Sequence, residues 1–384
     1  MLDFFPENYT WSLSVHRCLS AGGQINEVDE ACVPLRELSN QNDETAQNAW
    51  HESWNKLAKR VEELAIHDEE AGHFLSAGRK YLRACMYYFA AESTVNNHDP
   101  RKLETYQKVL TTFKKGIQLS RHPVEYVEVP FGKSSLPGFF VSAPGSGPAP
   151  CLIFFDGFDG CKELNYLLTG QEFRSRGIAL LTVDTPGVGE ALRLRNMPLD
   201  IQTEHTASAC VAYLESRADI DSEHIGIMGI SMGGYYAPRA AAFEKRLKCC
   251  VGWGPWWSRR DQIAYRLSLS GKPQQRSVFE LLWVTGKRTV EEASRFMEMA
   301  TLEGVADKIT CPLLVVAGEH DLVVPPSSGE KLISAAVNSP VRKLKMFTRA
   351  EGGIEHVQVD NITLAVDYIA DWLAETLGGN PKGV

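Results

Sequence analysis

The sequence predicts an α/β fold, in which a mostly parallel sheet is flanked by helices, together with an N-terminal helical domain. From about residue 124 onward, short apolar runs alternate with helical patterns, which is typical of a mostly parallel sheet covered on both faces. Before about residue 120, apolar residues recur at helical spacings and strand-like alternation is absent. We therefore expect a helical cap domain over 1–120 and a sheet-containing domain over 121–384.

The N-terminal part of the chain contains three recognisable helical patterns. The first has an apolar face that runs from Trp50 to Leu64 at spacings of four and three residues. The second covers 74–91, and the third begins at Asp99, a good N-cap, with Pro100 at the first helical position. Apolar stripes of this kind normally pack against other elements. We expect a helical bundle, either purely structural or forming a roof over an active site.

The sheet domain shows eight strand-like segments. The first two form an antiparallel hairpin, and the later ones are separated by helical patterns. From about 255 to 310 the pattern is helical and rich in aromatic residues, and we interpret it as a lid inserted into this domain. The predicted strands are 124–129, 138–141, 151–155, 178–183, 225–228, 249–253, 313–317 and 343–347.

A sharp turn with a central serine follows one of these strands. The segment Gly229-Ile230-Ser231-Met232-Gly233 lies between an apolar strand and a small-residue helix pattern. Strand, tight turn and helix in this order are typical of the nucleophile elbow of an α/β-hydrolase fold. Glycines two positions before and after the serine leave room for strand and helix to pass closely. We expect Ser231 to be the nucleophile.

A serine nucleophile needs a histidine base and a carboxylate, which in this fold follow the serine in the order acid, then histidine. Asp321 stands in a loop directly after a predicted strand, and His356 follows the last strand. We therefore expect Asp321 and His356 to complete the triad. Glu319 and Glu355 are the alternative acids, and a neighbouring histidine, His320, is expected to shape the acid loop.

Stabilising an oxyanion requires two backbone N–H groups near the nucleophile. The first is expected from Met232, the residue after the serine. The second should come from the loop after strand 151–155, where we choose Phe158, with Gly157 as the alternative donor. A plain strand-end turn is the structural alternative for this loop.

The amino-acid composition limits the kinds of binding partner and the cellular compartment that we expect for this protein. The net charge of −8 argues against nucleic acid or an anionic membrane as the main partner. Nine cysteines without a CxxC or zinc-like spacing favour a reducing compartment and no metal site. We also expect no signal peptide and no membrane-spanning segment, because the sequence shows neither pattern. We expect a soluble cytoplasmic protein that needs no cofactor and has no membrane partner; a homodimer is left open.

Several stretches together resemble one family, the α/β-hydrolases that carry an N-terminal helical cap. This family includes bacterial 2,6-dihydroxypseudooxynicotine hydrolase and fungal polyketide-shortening hydrolases of melanin pathways. The oxyanion loop departs from its relatives, with Asp-Gly-Phe where they often have Gly-Gly-Leu or Thr-Gly-Leu. The stretches that carry the resemblance are 76–88, 156–163, 184–187, 229–236 and 353–356.

The resemblance implies hydrolysis of a carbon–carbon bond beside a ketone, in an aromatic or polyketide small molecule. An esterase or lactonase acting on a bulky aromatic substrate would use the same residues, and a non-catalytic ligand-binding homologue is a third alternative.

Two groups of aromatic residues are candidates for contact with the substrate. One lies on the second helix of the cap and the other follows a strand end, where loops enclose pockets. Packing in the core is the alternative for both groups. The candidates are Tyr81, Tyr87, Tyr88, Trp253, Trp256 and Trp257.

Overall fold

The computed structural model describes residues 2–41, 43–158, 160–269 and 278–384. The chain divides into two compact units. One runs to Pro123 and includes the described residues 278–280, and the other begins at Val124 and holds the remaining described residues. Each unit has its own cluster of buried apolar residues.

The first unit is helical, as its sequence pattern predicts. Its α-helices are α1 (Tyr9–Ser20), α2 (Ile25–Cys32), α3 (Glu44–Glu70), α4 (Phe74–Glu92) and α5 (Pro100–Ser120). Helix α3 packs against α4, and α4 packs against α5. The Asp99 carboxylate accepts a hydrogen bond from the Arg101 N–H and caps α5, with Pro100 at the first helical position.

The buried face of α3 ends differently from the sequence prediction. Leu64 is 47% exposed, whereas Ala65 is buried against Ala77 and Tyr81 of α4. An α-helix has 3.6 residues per turn, so a stripe written with spacings of three and four drifts around the helix along its length. The prediction that Leu64 lies on the buried face was therefore wrong, and the buried residue at this point of α3 is its neighbour Ala65.

The second unit is built on an eight-stranded sheet. The strands are β1 (Val124–Phe131), β2 (Ser134–Val141), β3 (Ala149–Phe155), β4 (Ala179–Val183), β5 (Ile220–Ile230), β6 (Cys249–Trp253), β7 (Leu313–Gly318) and β8 (Arg342–Phe347). Their order in the sheet is β1-β2-β4-β3-β5-β6-β7-β8. The pairs β1–β2 and β2–β4 are antiparallel and every later pair is parallel, which confirms a mostly parallel sheet.

Helices connect the parallel strands and cover the sheet. They are α6 (Lys162–Ser175), α7 (Gly189–Arg193), α8 (Glu204–Glu215), α9 (Gly233–Phe243), α10 (Arg259–Ser268), α11 (Val278–Thr285), α12 (Val290–Glu298), α13 (Ser327–Ala335) and α14 (Ile362–Leu377). Three of them, α10 to α12, occupy the described part of the predicted insertion. Residues 270–277 lie outside the described residues, and the role of the insertion as a lid stays a prediction.

The carboxyl ends of the parallel strands meet at one edge of the sheet, where functional groups of α/β proteins gather. The loops after β3, β5, β6 and β7 all leave from this edge. Among the described helices, none has the length and apolar character required to cross a bilayer.

Candidate active site

The turn between β5 and α9 holds Ser231 in a strained conformation. Its φ is 58°, in the left-handed region of backbone conformation that residues other than glycine rarely adopt. Its N–H donates to the Trp253 carbonyl of β6 at 2.8 Å. A Cβ on Gly229 would lie 1.8 Å from the Gly233 carbonyl oxygen, and one on Gly233 would lie 2.4 Å from that of Phe155. Only glycine fits at these two positions, which accounts for the Gly-x-Ser-x-Gly spacing.

Ser231, His356 and Asp321 form a continuous chain of hydrogen bonds. The Nε2 atom of His356 lies 2.9 Å from the Ser231 Oγ, and its Nδ1 lies 2.7 Å from the Asp321 Oδ2. With the proton on Nδ1, the ring donates to the carboxylate and Nε2 accepts from the serine hydroxyl. Asp321 and His356 are buried, while Ser231 is partly exposed. This is the geometry that general-base activation of a serine requires.

The carboxylate of Asp321 is fixed by the loop that carries it. Its Oδ1 accepts hydrogen bonds from the N–H groups of Val323 and Val324, each at 2.8 Å. The hydroxyl of Tyr265, from α10, donates to the Asp321 carbonyl oxygen at 2.8 Å. One carboxylate oxygen is thus occupied by backbone donors, which leaves the other to orient the imidazole.

The two alternative acids bind other groups. The Glu355 Oε1 lies 3.0 Å from the Nδ1 of His320, so these two side chains pair with each other beside the acid loop. The Glu319 Oε1 accepts from the Arg349 N–H at 2.6 Å. The carboxylate that orients the His356 ring through Nδ1 is that of Asp321.

The loop after His356 is held by residues that the sequence did not single out. Val357 has a φ of 48°, which is costly for a β-branched residue. The Trp253 indole N–H donates to the Gln358 Oε1 at 2.7 Å, and the Asp360 carboxylate accepts from the backbone N–H groups of Ile354 and Glu355. Neither Gln358 nor Asp360 belongs to a motif, although an aspartate ahead of a helix is a common backbone acceptor.

The oxyanion loop lies directly against the nucleophile. A Cβ on Gly157 would be 3.0 Å from both the Met232 nitrogen and the Ser231 Cβ, so a side chain there would collide with the elbow. The Gly157 N–H donates to the Asp156 carboxylate at 2.6 Å, and the Cys161 N–H donates to the same carboxylate.

The Gly157 N–H already donates to the Asp156 carboxylate, so the role of Gly157 as the alternative oxyanion donor stays a prediction that this contact does not support. In the described residues, the Met232 N–H has no acceptor, as the role of an oxyanion donor requires. The choice of Phe158 as the second donor stays a prediction, and the neighbouring Asp159 lies outside the described residues.

The buried ammonium group of Lys162 connects the oxyanion loop, which follows β3, to the loop after β4. The Lys162 Nζ lies within 3.0 Å of carboxylate oxygens of Glu163, Asp184 and Glu190. Burial alone would lower the pKa of Lys162, but the three carboxylates outweigh it and raise that pKa well above its usual value. Asp184 also accepts from the backbone N–H groups of Lys162 and Glu190. The cluster therefore fixes the start of α6, just after the oxyanion loop.

The three tyrosines predicted to face the substrate are bound inside the helical unit. Tyr81, Tyr87 and Tyr88 are fully buried. Their hydroxyls donate to glutamates of the same unit, and burial raises the pKa of each phenol. These hydrogen bonds account for the burial of the three tyrosines without a ligand. That the tyrosines contact the substrate stays a prediction, and none of these hydrogen bonds supports it.

The three tryptophans of the second candidate group have different surroundings. Trp253 is fully buried in β6 and bonded to Gln358, so packing accounts for it. Trp257 is partly buried against the main core, and its carbonyl accepts from the Leu302 N–H. Trp256 is 5% exposed and its indole N–H has no acceptor among the described residues.

Thiols and metal ligands do not form a second reactive centre in the part of the chain that the structure describes. All nine cysteines are free and buried, and burial raises the pKa of the Cys161 thiol well above its usual value. No group of three or more histidine, cysteine or acidic side chains among these residues has the arrangement that holds a metal ion.

Comparison with known proteins agrees with this geometry. The model of the prolyl oligopeptidase family matches residues 173–380, and that of the FrsA-like esterases matches residues 42–261. The chain is 28% identical to the α/β hydrolase xenA of Xenoacremonium sinensis, over 82% of this chain and 81% of that one. It is 24% identical to the 20-hydroxy-prefusarin hydrolase FUS2 of Gibberella moniliformis, over 94% and 92% of the two chains.

A solved structure is similar over most of the chain. The crystal structure of the 2,6-dihydroxy-pseudo-oxynicotine hydrolase superposes with a TM-score of 0.76 and 25% sequence identity, covering 94% of this chain and 95% of that one. Both family models match more than half of the chain. This chain therefore belongs to the α/β-hydrolases, and within them to the families described by the prolyl oligopeptidase and FrsA-like esterase models.

Proposed function

We propose that this α/β-hydrolase uses Ser231, His356 and Asp321 to cleave a carbon–carbon bond beside a ketone in an aromatic or polyketide substrate. The observation that carries the catalytic part is the hydrogen-bond chain from the Ser231 Oγ through His356 to Asp321. The bond and the substrate class are supported by the likeness to the two proteins named as hydrolases of 2,6-dihydroxy-pseudo-oxynicotine and of 20-hydroxy-prefusarin.

The proposed reaction begins when Nε2 of His356 takes the proton of Ser231 and the serine oxygen attacks the ketone carbon. The carbonyl oxygen becomes an oxyanion, for which the Met232 N–H is the proposed first donor. Collapse of the adduct re-forms the carbonyl and breaks the bond to the neighbouring carbon. That carbon leaves with the electron pair and takes the proton from His356. Water, deprotonated by His356, then hydrolyses the acyl-enzyme to the carboxylic acid and restores Ser231.

The carbon leaving group sets the chemical demand on the substrate. A carbanion leaves only when a β-carbonyl group or an electron-rich ring delocalises its charge. Its protonation also requires that His356 be shielded from bulk water at that moment. The 8% exposure of His356 agrees with this requirement.

An esterase or lactonase that acts on a bulky aromatic substrate is the second candidate function. The match to the FrsA-like esterases over residues 42–261 favours it. An alkoxide leaves more readily than a carbanion, so the same three residues would suffice for this reaction. The two candidates therefore differ in the bond that breaks and in the products.

The test offers the purified protein matched aryl β-diketones, aromatic lactones and short p-nitrophenyl esters, and identifies the products by mass spectrometry. We expect the diketones to yield a carboxylic acid and a shortened ketone. Ser231→Ala should lose at least about 1000-fold in turnover and should no longer react with a fluorophosphonate probe. Within the segment 229–234, Ser231 is the sole residue with a hydroxyl group, so this substitution leaves the elbow without a nucleophile.

Three outcomes would contradict the proposal in different ways. Turnover of lactones or esters alone, with the diketones unchanged, would move the protein to the second candidate. Near-normal turnover by folded Ser231→Ala would remove the catalytic assignment itself. A wild-type protein that neither turns over any substrate nor reacts with the probe would indicate a ligand-binding homologue.

A further inference from the structure

We propose that the substrate carries a carboxylate that binds to the Arg259 guanidinium and the Trp256 indole N–H, beside the serine, histidine and aspartate. As a statement about substrate, this rests on the proposed function; as a statement about anion binding, it stands on the surroundings of these two side chains. It deepens the proposed function by adding an acidic group to the aromatic compound.

Arg259 is a partly buried cation with no acidic partner among the described residues. Its Nη1 donates to the neutral Gln262 Oε1 at 2.7 Å, and its backbone N–H donates to the Ala300 carbonyl. Burial, together with the nearby positive charge of Arg266, lowers the pKa of Arg259 to about 10. A guanidinium has five N–H donors, so most of its hydrogen-bonding capacity here is not used by the described residues.

Trp256 supplies a second unused donor at the same place. The residue is 5% exposed, and its indole N–H has no acceptor in the part of the chain that the structure describes. The guanidinium carbon of Arg259 lies 5.4 Å from the centroid of the Trp256 ring. A buried donor without an acceptor destabilises the fold, so the Trp256 indole N–H, beside a cation that has no acidic partner among the described residues, is a candidate for contact with a ligand. Both groups only donate, and one is positively charged, so the complementary ligand is an anion.

The position of this pair places it next to the candidate active site. Trp256 follows Gly254 by two positions, and a Cβ on Gly254 would lie 3.6 Å from the Cε1 of His356. On the other side, the Gln262 Nε2 donates to the Val323 carbonyl at 3.1 Å, two positions after Asp321. Two residues of extended chain span at most about 7 Å, so the backbone of Trp256 lies within that distance of Gly254, which adjoins the His356 ring.

Among small anions, a carboxylate fits best. It is fully ionised at neutral pH, and its two oxygens match the planar fork of a guanidinium. A neutral ketone or ester would satisfy neither donor as well.

The test measures binding in the Ser231→Ala background, so that no turnover intervenes. The probes are 2-naphthoate and 2-naphthamide, which share one ring system and differ in charge, and their affinities are measured by isothermal titration calorimetry. We expect naphthoate to bind at least about tenfold more tightly than naphthamide, because a charge-assisted hydrogen bond is roughly twice as strong as a neutral one. Arg259→Met should abolish that preference.

Arg260→Met is the matched control, because Arg260 is the exposed neighbour on the same helix and should leave the preference intact. Trp256→Phe keeps an aromatic ring but removes the N–H, and should weaken naphthoate several-fold while leaving naphthamide unchanged. This second variant decides the question if Arg259→Met does not fold, which circular dichroism will show.

Equal affinity for the two probes, no measurable binding of naphthoate, or a preference that survives both substitutions would overturn the anion site. None of these outcomes depends on the bond that the enzyme cleaves. Failure of the diketone assay would therefore leave this result standing, and failure here would leave the catalytic proposal standing.

Discussion

Both units bury polar side chains, but these groups are satisfied in different ways. In the helical unit, three buried tyrosines each donate to one glutamate, and both partners of each hydrogen bond lie within the unit. In the sheet unit, the chain from Asp321 through His356 ends at the partly exposed hydroxyl of Ser231. The tyrosine pairs are Tyr81 with Glu69 at 2.6 Å, Tyr87 with Glu27 at 2.8 Å and Tyr88 with Glu62 at 2.5 Å.

The difference teaches which buried polar groups indicate a site. A donor that already has an acceptor stabilises the fold, whereas a buried donor without one costs free energy and is a candidate for contact with a ligand or water. The same contrast separates two cations of the sheet unit: Lys162 lies among three carboxylates, while Arg259 has a neutral amide and a ring. The residue type alone does not distinguish these cases, but the partners do.

The largest expected effect breaks the chain at Asp321. Asp321→Asn should lower kcat by about 10³–10⁴-fold, because the amide no longer holds the imidazole in the tautomer that accepts the serine proton. The free energy of unfolding should change little, since the asparagine side chain has nearly the same shape as the aspartate. The measurement is steady-state turnover of whichever substrate the panel identifies, with the fold checked by circular dichroism.

Glu355→Gln and Glu319→Gln are the matched controls, because each lies in the same region and contacts a group other than His356. Both should retain turnover within about threefold, since neither touches the reacting atoms. A larger loss in folded Glu355→Gln than in Asp321→Asn would transfer the role of the acid to Glu355.

The sequence predicts the fold well because apolar runs and strand-ending loops are local signals. It predicts Ser231, Asp321 and His356 as neighbours because the strands before them are parallel and end at one edge. It does not predict the partner of Tyr88, because Glu62 lies on another helix, α3, which only packing brings into contact with α4. The sequence also does not show that the Gly157 N–H donates to the neighbouring Asp156 carboxylate, because that contact depends on the conformation of the loop.

The next effect tests whether the Lys162 cluster is satisfied within the fold, as the tyrosine pairs are. Lys162→Met should destabilise the protein by about 3–5 kcal/mol, because it leaves buried carboxylates such as Asp184 without their compensating charge. The measurement is the free energy of unfolding from urea titration. Lys248→Met is the control, since its ion pair with Glu223 is exposed and should contribute less than about 1 kcal/mol. A similarly small loss in the free energy of unfolding for both variants would show that the Lys162 cluster does not stabilise the fold.

The smallest expected effect decides whether the tyrosines of α4 are pairs satisfied within the helical unit or substrate contacts. Tyr88→Phe removes only the hydroxyl that donates to Glu62, and Lys108 remains within 3.1 Å of the same carboxylate. Because that ammonium group still compensates Glu62, the loss should be about 1 kcal/mol in the free energy of unfolding. Tyr368→Phe, whose hydroxyl has no hydrogen bond among the described residues, should leave stability unchanged. The kcat and KM of Tyr88→Phe should both match the wild type, since a pair satisfied within the helical unit has no group left for the substrate. A raised KM with unaltered stability would instead make Tyr88 a substrate contact, as the sequence first suggested.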